Sequence, residues 1–315
     1  SSFKEVNFNT LNTSLALNQD LSVITKGLSL KALVNFKNWS ETSYTRSIKS
    51  NIYKVKDGSY NPETGEYDYQ LLQTGDQFLS QSGISRNSDQ TFYFDARLDW
   101  KRSFGDHNLT AMAMYMMREY RSDVLPNRNQ GYSGRVTYDY ASKYLVEFNF
   151  GYNGSERLAA GHRFEFFPAV SAGWVASSEK FWEPISKYIN HFKIRGSYGL
   201  VGSDAFASGA PHFLYQNNIG IGSAHNFWTG LPTSEISKKG PGFYVLAVQD
   251  AGWEHVKKFD IGFDMMLFNQ LNITFDYFHD KRERILMSRA SWPSMLGYWG
   301  SKPWSNIGEV ENQGF

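Results

Sequence analysis

The chain has 315 residues with 32 basic and 31 acidic side chains, and the formal charge of +1 gives no electrostatic case for a nucleic-acid partner. It has no cysteine, which excludes a disulfide framework and any thiolate metal site. Mean hydropathy is −0.48 and no apolar run reaches about 18 residues, which excludes a transmembrane helix but leaves open a transmembrane barrel, whose polar lumen lowers the mean.

Taken in chain order, strands are predicted near 11–21, 28–39, 91–103, 108–119, 131–140, 144–153, 167–176, 191–201, 254–267 and 271–280, with another from Asn306. Their signature is alternation. Phe92, Phe94, Ala96, Leu98 and Trp100 share one parity, and Tyr93, Asp95, Arg97, Asp99 and Lys101 the other. Successive strand side chains face opposite ways, so this segment has one apolar face and one charged face. The same holds for Tyr132, Val136, Tyr138 and Tyr140 against Arg135 and Asp139, and for Val146 and Phe148 against Glu147 and Asn149. It recurs for Ile194 and Tyr198 against Arg195, for Ile261 and Phe263 against Asp260 and Asp264, and for Phe275 and Tyr277 against Asp276.

Two architectures fit that pattern. One is an antiparallel sheet in a soluble sandwich, with one face on a core and one in water. The other is a barrel wall with lipid on one side and water on the other. Aromatic residues are 17% of the chain and gather beside short turns, at Trp100 and Phe104, Tyr140 and Tyr144, and Phe268, as in an interfacial girdle. Short turns at Thr25–Gly27, Phe104–Asp106, Ala141–Lys143 and Phe268–Gln270 alternate with long connections at about 40–90, 121–131, 154–166, 202–252 and 280–305. Compact soluble domains rarely hold several long structureless loops, whereas outer-membrane barrels have tight periplasmic turns and long outer loops. The stretch Ser177 to Asn190 sits at a turn position, where Ser178–Trp182 reads as the start of a short helix. The 40–90 stretch must hold no wall strand or an even number, and Asn61–Gly65 reads as the tip of a loop hairpin. The first strand runs downward from the outer side, so the chain reads as a slice of a larger barrel.

Catalytic motifs are poor. Gly131-Tyr132-Ser133-Gly134 has the wrong spacing for a nucleophile elbow, and the seven histidines are scattered without metal-helix spacing. His162, near Arg163 and Glu165, reads as loop packing. An enzyme is not supported, and no cofactor or metal is expected. Asp95, Arg97, Asp99, Arg135, Asp139, Glu147, Arg195, Asp260, Asp264 and Asp276 share the polar parity and read as lining a hydrated lumen.

The run Asn153-Gly154-Ser155-Glu156-Arg157, then Gly161 through Trp174, resembles the central signature of SusC/RagA-type TonB-dependent outer-membrane transporters of Bacteroidetes. The likeness continues through Ser178–Trp182, Lys193–Gly199, Trp253–Asp264, Asp276–Phe278 and Asn306–Phe315. Glu165 stands where that family usually has glycine, and Leu158 where an aromatic is common. The resemblance implies part of an antiparallel transmembrane barrel of about 22 strands in the bacterial outer membrane, with the plug and terminal strands absent from this sequence. It implies import of oligosaccharides, or in some members peptides, with a SusD-like surface lipoprotein as lid and energy from the TonB complex through the missing N-terminal region. For such ligands the outer-loop residues Trp228, Trp292, Tyr298, Trp299 and Asp204 are candidates, because sugars stack on aromatic faces. Loop packing or contact with the lid is the competing role for these aromatics. A soluble carbohydrate-binding module and a passive porin are the alternatives from other classes.

Overall fold

A computed structural model of the chain describes residues 2–206, 210–229, 236–289, 295 and 303–315. The described residues form sixteen strands: β1 (Ser2–Asp20), β2 (Leu28–Ser47), β3 (Ile52–Val55), β4 (Tyr69–Gln73), β5 (Ser80–Gln81), β6 (Ser85–Phe104), β7 (His107–Arg121), β8 (Asn127–Tyr140), β9 (Tyr144–Ser155), β10 (Phe164–Val175), β11 (Ile189–Ser203), β12 (Asn218–Thr229), β13 (Ile236–Val245), β14 (Glu254–Leu267), β15 (Leu271–Ser288) and β16 (Trp304–Gly314). The main sheet runs β1-β2-β6-β7-β8-β9-β10-β11-β14-β15-β16, with β5 on β2. The fold is all-β and antiparallel, as the alternation predicts.

The chain divides into two compact units. The first comprises Ser1–Ser14, Asn35–Phe92 and Tyr120–Pro126. Here the Asn35 amide donates to Asn12 Oδ1 at 2.9 Å and to Ser14 Oγ at 2.7 Å, and the Tyr44 hydroxyl donates to Glu5 at 2.5 Å. The hairpin expected around Asn61–Gly65 is present as β3 paired with β4, closed by an Asn61–Glu66 bridge. The strands themselves run further than the sequence suggests: β2 continues to Ser47 and β6 begins at Ser85.

The second unit comprises Leu15–Val34, Tyr93–Glu119 and Asn127–Phe315. In it, strand register gathers the alternating residues into rows. Tyr140, Tyr144, Trp174, Ile194, Phe263 and Phe275 stand opposite one another in sequence across β8, β9, β10, β11, β14 and β15. The next row on the same face is Tyr138, Val146, Ala172, Gly196, Ile261 and Tyr277. These rows are not covered by a core: Val146 and Ile261 are each 46% exposed, and Phe275 is 44% exposed. A contiguous exposed apolar face of this extent needs a nonaqueous neighbour, and a sandwich would have buried it. Acyl chains supply that neighbour, so the wall spans a membrane.

Two of the short turns depart from ordinary chemistry. Ala141 and Ser142 both have positive φ, 51° and 56°, and Phe268 and Asn269 both lie at 53°. Positive φ at both central positions marks the type I′ turn whose twist suits a hairpin. Three of the four residues are types that resist this conformation, which costs about 1–2 kcal/mol per residue. The short helix expected from Ser178–Trp182 is present as 3-10 turns, Ala176–Ser178 and Lys180–Trp182, and it stays short because Pro184 follows within two residues and the segment must return to β11. A difference lies in the 202–252 connection, which contains the β12–β13 hairpin.

Replacing Ala141-Ser142 with Asn-Gly should raise the urea midpoint of the refolded protein in lipid vesicles at unchanged slope, a gain in stability of about 1 kcal/mol. A lower midpoint would show that the two positions are not both left-handed.

Candidate functional site

The polar face of the second unit is organised around Arg195. Its guanidinium lies 3.6 Å from Asp260, 3.2 Å from Asp264 and 2.7 Å from Asp276. Arg195 is on β11 and Asp276 on β15, two strands apart, with Gly262 of β14 between them in register. A Cβ at Gly262 would fall 2.0 Å from Asp276 Oδ1, so only the missing side chain lets the two meet. One cation facing three carboxylates leaves the group acidic. All four side chains are about one-third exposed, at 32–35%.

Pairing continues along the same face. Arg135 donates to Glu147 at 2.5 Å, Arg97 to Asp99 at 3.0 Å, and Lys31 lies 3.4 Å from Asp99. Asp139 accepts from the Asn108 amide at 3.1 Å and from the Ser142 N–H at 3.1 Å, which ties it to the turn. Asp95 shares this parity and is half-buried. A groove of about 450 Å³ opens between these charges, lined by Glu147, Ser171, Gly173, Lys193, Arg195 and Asp260. Small residues on its floor expose the backbone of the wall, and charges rim it.

A hydrophobic cluster sits where the long connections meet the strand ends. Leu158, Phe167, Leu214, Ala251, Trp253 and Leu286 are buried there, with Leu200, Phe206 and Trp304 packed against them. Phe167 and Trp253 meet edge-on at 5.4 Å, and the Trp253 indole N–H donates to Arg163 O at 3.0 Å. Gly202 lies against the Phe167 ring, where a Cβ would come within 2.0 Å. Buried Glu254 accepts from the Leu286 N–H at 3.2 Å. Asn306 binds Gly252 through both N–H and C=O at 3.0 Å, and donates to Arg284 O at 2.7 Å. The described parts of two long connections, those that carry Leu158 and Leu214, are therefore clamped to the wall.

The outer-loop candidates fare differently. Asp204 accepts from the Asn129 amide at 2.8 Å, and its backbone carbonyl accepts from Arg157 at 3.1 Å. Arg157 packs over the Phe206 ring at 4.3 Å, and burial lowers its pKa while the Asp204 charge opposes that shift. Trp228 is 62% exposed on β12, paired with Ser237 of β13. Trp292, Tyr298 and Trp299 lie outside the described residues. His162 is exposed in the turn that its N–H closes on Ala159 O. Glu165 instead contacts His255 at 2.8 Å and Arg284 at 3.7 Å. Sequence reasoning missed this triad, whose members are separated by up to 119 positions and meet only through register.

Among the described residues no group of three or more His, Asp or Glu side chains is placed to hold a metal ion.

No family model matches the chain. TonB-dependent receptor P3 of Formosa agariphila is 31% identical over 183 residues, covering 58% of this chain and 17% of that protein. TonB-dependent receptor P39 of the same organism is 27% identical over 202 residues, covering 64% of this chain and 18% of that protein. The chain thus spans less than a fifth of the length of these curated relatives. Among solved structures, the RagAB peptide importer in its closed-closed state superposes with a TM-score of 0.71 at 17% identity, over 99% of this chain and 34% of the solved one. Its open-open state gives 0.67. The chain is thus similar in sequence to part of TonB-dependent receptors, and its fold is that of part of an outer-membrane barrel wall. The resemblance to the SusC/RagA type, legible in the 153–199 run, is borne out.

Replacing Arg195 with Gln should lower stability by about 1 kcal/mol, the scale of a partly exposed ion pair. Asp276→Asn on that background should recover part of the loss, because it removes one of the carboxylates left facing each other. Additive losses in urea titrations would show that the two side chains do not interact.

Proposed function

We propose that this wall serves TonB-dependent import of an oligosaccharide, in a SusC-like transporter that works with a SusD-like surface lipoprotein as lid. The observation that carries the reading is the pair of faces: an exposed apolar face suited to lipid, backed by a paired, charged face with a wide groove. Charges at Asp95, Arg97, Asp99, Arg135, Asp139, Glu147, Arg195, Asp260, Asp264 and Asp276 would keep the lumen hydrated, so that a polar solute and the plug meet water-like surroundings. The clamp around Trp253 would hold the outer loops in place above that lumen. Exposed Trp228 is the side chain best disposed to stack on a sugar ring. Asp204, held by Asn129 and Arg157, would position the loop backbone rather than reach far into solvent.

A second reading is import of peptides by the same scaffold. It is favoured by the fold match to RagAB, described as a peptide importer. In both readings the protein is a transporter rather than an enzyme, with no cofactor, metal or nucleic acid in its action. Energy would come from the TonB complex.

The two readings separate on binding. Calorimetry of the full-length receptor with its lipoprotein, against a panel of neutral oligosaccharides and a mixed peptide pool, should show heat with a glycan alone. Trp228→Ala should weaken that binding about five- to tenfold, equivalent to about 1–1.4 kcal/mol for one aromatic stack. Heat with peptides only would favour the second reading. Binding unchanged by Trp228→Ala would remove Trp228 from the site.

A further inference from the structure

The connection between β10 and β11 is longer than the four short turns on its side of the wall, and its residues are not arranged as a random loop. Hydrogen bonds of the i to i+3 and i to i+4 kind run through it: Ile185 N–H to Trp182 O at 2.9 Å, Ser186 N–H to Trp182 O at 3.0 Å, Tyr188 N–H to Ile185 O at 2.9 Å and Ile189 N–H to Ile185 O at 3.0 Å. On such a coiled path Phe181, Ile185 and Tyr188, spaced by four and three, share one face. Lys180, Glu183, Ser186 and Lys187 occupy the remainder. All three apolar residues are exposed, Phe181 at 60% and Tyr188 at 57%.

Their position gives the exposed face a neighbour. Phe181 lies 6.2 Å from Trp174, which belongs to the first apolar row of the wall. Trp182 stacks on Phe192 at 5.3 Å with rings 7° apart, and Phe192 continues to Phe263 at 5.9 Å on the lipid-facing side. Tyr188 meets Phe268 edge-on at 6.2 Å, and its carbonyl accepts the Phe268 N–H at 3.0 Å. The apolar face of the segment is thus continuous with the membrane-facing rows, not with the polar face. The far side is anchored: Glu179 accepts from the Tyr144 hydroxyl at 2.8 Å and from Lys143 at 3.1 Å. Those donors hold its carboxyl below the usual range, Tyr144 foremost, so the anchor is fully made above that range and fails only as pH falls through the lowered value.

We propose that the segment Ala176–Tyr188 is an interfacial foot that lies in the periplasmic leaflet, with Phe181, Ile185 and Tyr188 among the upper acyl carbons of phospholipid. Lys180 and Lys187 flank that face and reach the lipid phosphates, as long basic side chains do at an interface. The foot extends the aromatic girdle sideways from the barrel and fixes how deeply this sector sits in the bilayer. A soluble periplasmic protein is the competing occupant, and the continuity with the lipid-facing rows argues against it.

The sequence has no cysteine, so single spin labels can be placed within it. Labels at Phe181→Cys, Ile185→Cys, Tyr188→Cys and Glu183→Cys would be read in the full-length receptor, reconstituted in nanodiscs of phosphatidylethanolamine with phosphatidylglycerol. Phe268→Cys at the girdle is the reference. Collision with oxygen should exceed collision with a water-soluble nickel chelate at 181, 185 and 188, as at 268, and the ratio should reverse at 183. Three independent sites keep the test readable if one variant fails to fold. Nickel-dominated collision at 181, 185 and 188 would overturn the proposal, and so would labels shielded from both agents, the mark of protein cover.

Discussion

The hydrogen-bonded ladder that links β8, β9, β10, β11, β14 and β15, shifted in register only between Ile189 and His191, is the constraint on which the rest of this structure depends. In hydrocarbon no water can satisfy a backbone N–H or C=O, and each unpaired group costs several kcal/mol. Strands must therefore pair along their whole membrane length. Once paired, a slip of one residue would carry every charge to the lipid side, so the alternation of side chains locks the register as firmly as the bonds do. Gly262 opposite Arg195 shows the consequence: a residue without a side chain is used where a neighbour must lie across the sheet.

Charge on the inner face obeys a different economy. Each ion pair there is partly solvated, so its contribution to stability is small. What the arrangement achieves is placement. Arg195 gathers Asp260, Asp264 and Asp276 into one acidic group, while Arg135–Glu147 and Arg97–Asp99 stay nearly neutral. The polar face is thus patterned, with its acidity concentrated beside the groove. Apolar burial is spent elsewhere, in the cluster of Leu158, Phe167, Trp253 and Leu286 that holds the long connections down.

Strand positions, the membrane, and the sorting of residues between two faces were legible in sequence because period-two alternation is local. Partners were not. The Arg195–Asp276 contact depends on register across three strands, and nothing within a short window announces it. Glu165 and Leu158, the two departures from the family pattern, also became intelligible only in three dimensions: Glu165 meets His255 and Arg284, and Leu158 is fully buried in the loop cluster. The strands inside the 202–252 connection escaped for a related reason. In β12 and β13, Gly220, Gly222, Gly240 and Gly242 dilute the alternation that marks the wall. The turns at Ala141-Ser142 and Phe268-Asn269 were expected, but their type I′ conformation was not, because they carry no glycine to signal it.

Labelling along one strand tests the central claim most directly. Single cysteines at each position from Tyr144 to Tyr152, in the full-length receptor in native outer membranes, would be probed with a water-soluble maleimide and with a lipid-phase reagent. The account predicts strict alternation: Tyr144, Val146, Phe148, Phe150 and Tyr152 reached from lipid, and Leu145, Glu147, Asn149 and Gly151 from water. Reaction of both sets with the water-soluble reagent alone would contradict it, and would return the chain to a soluble sandwich.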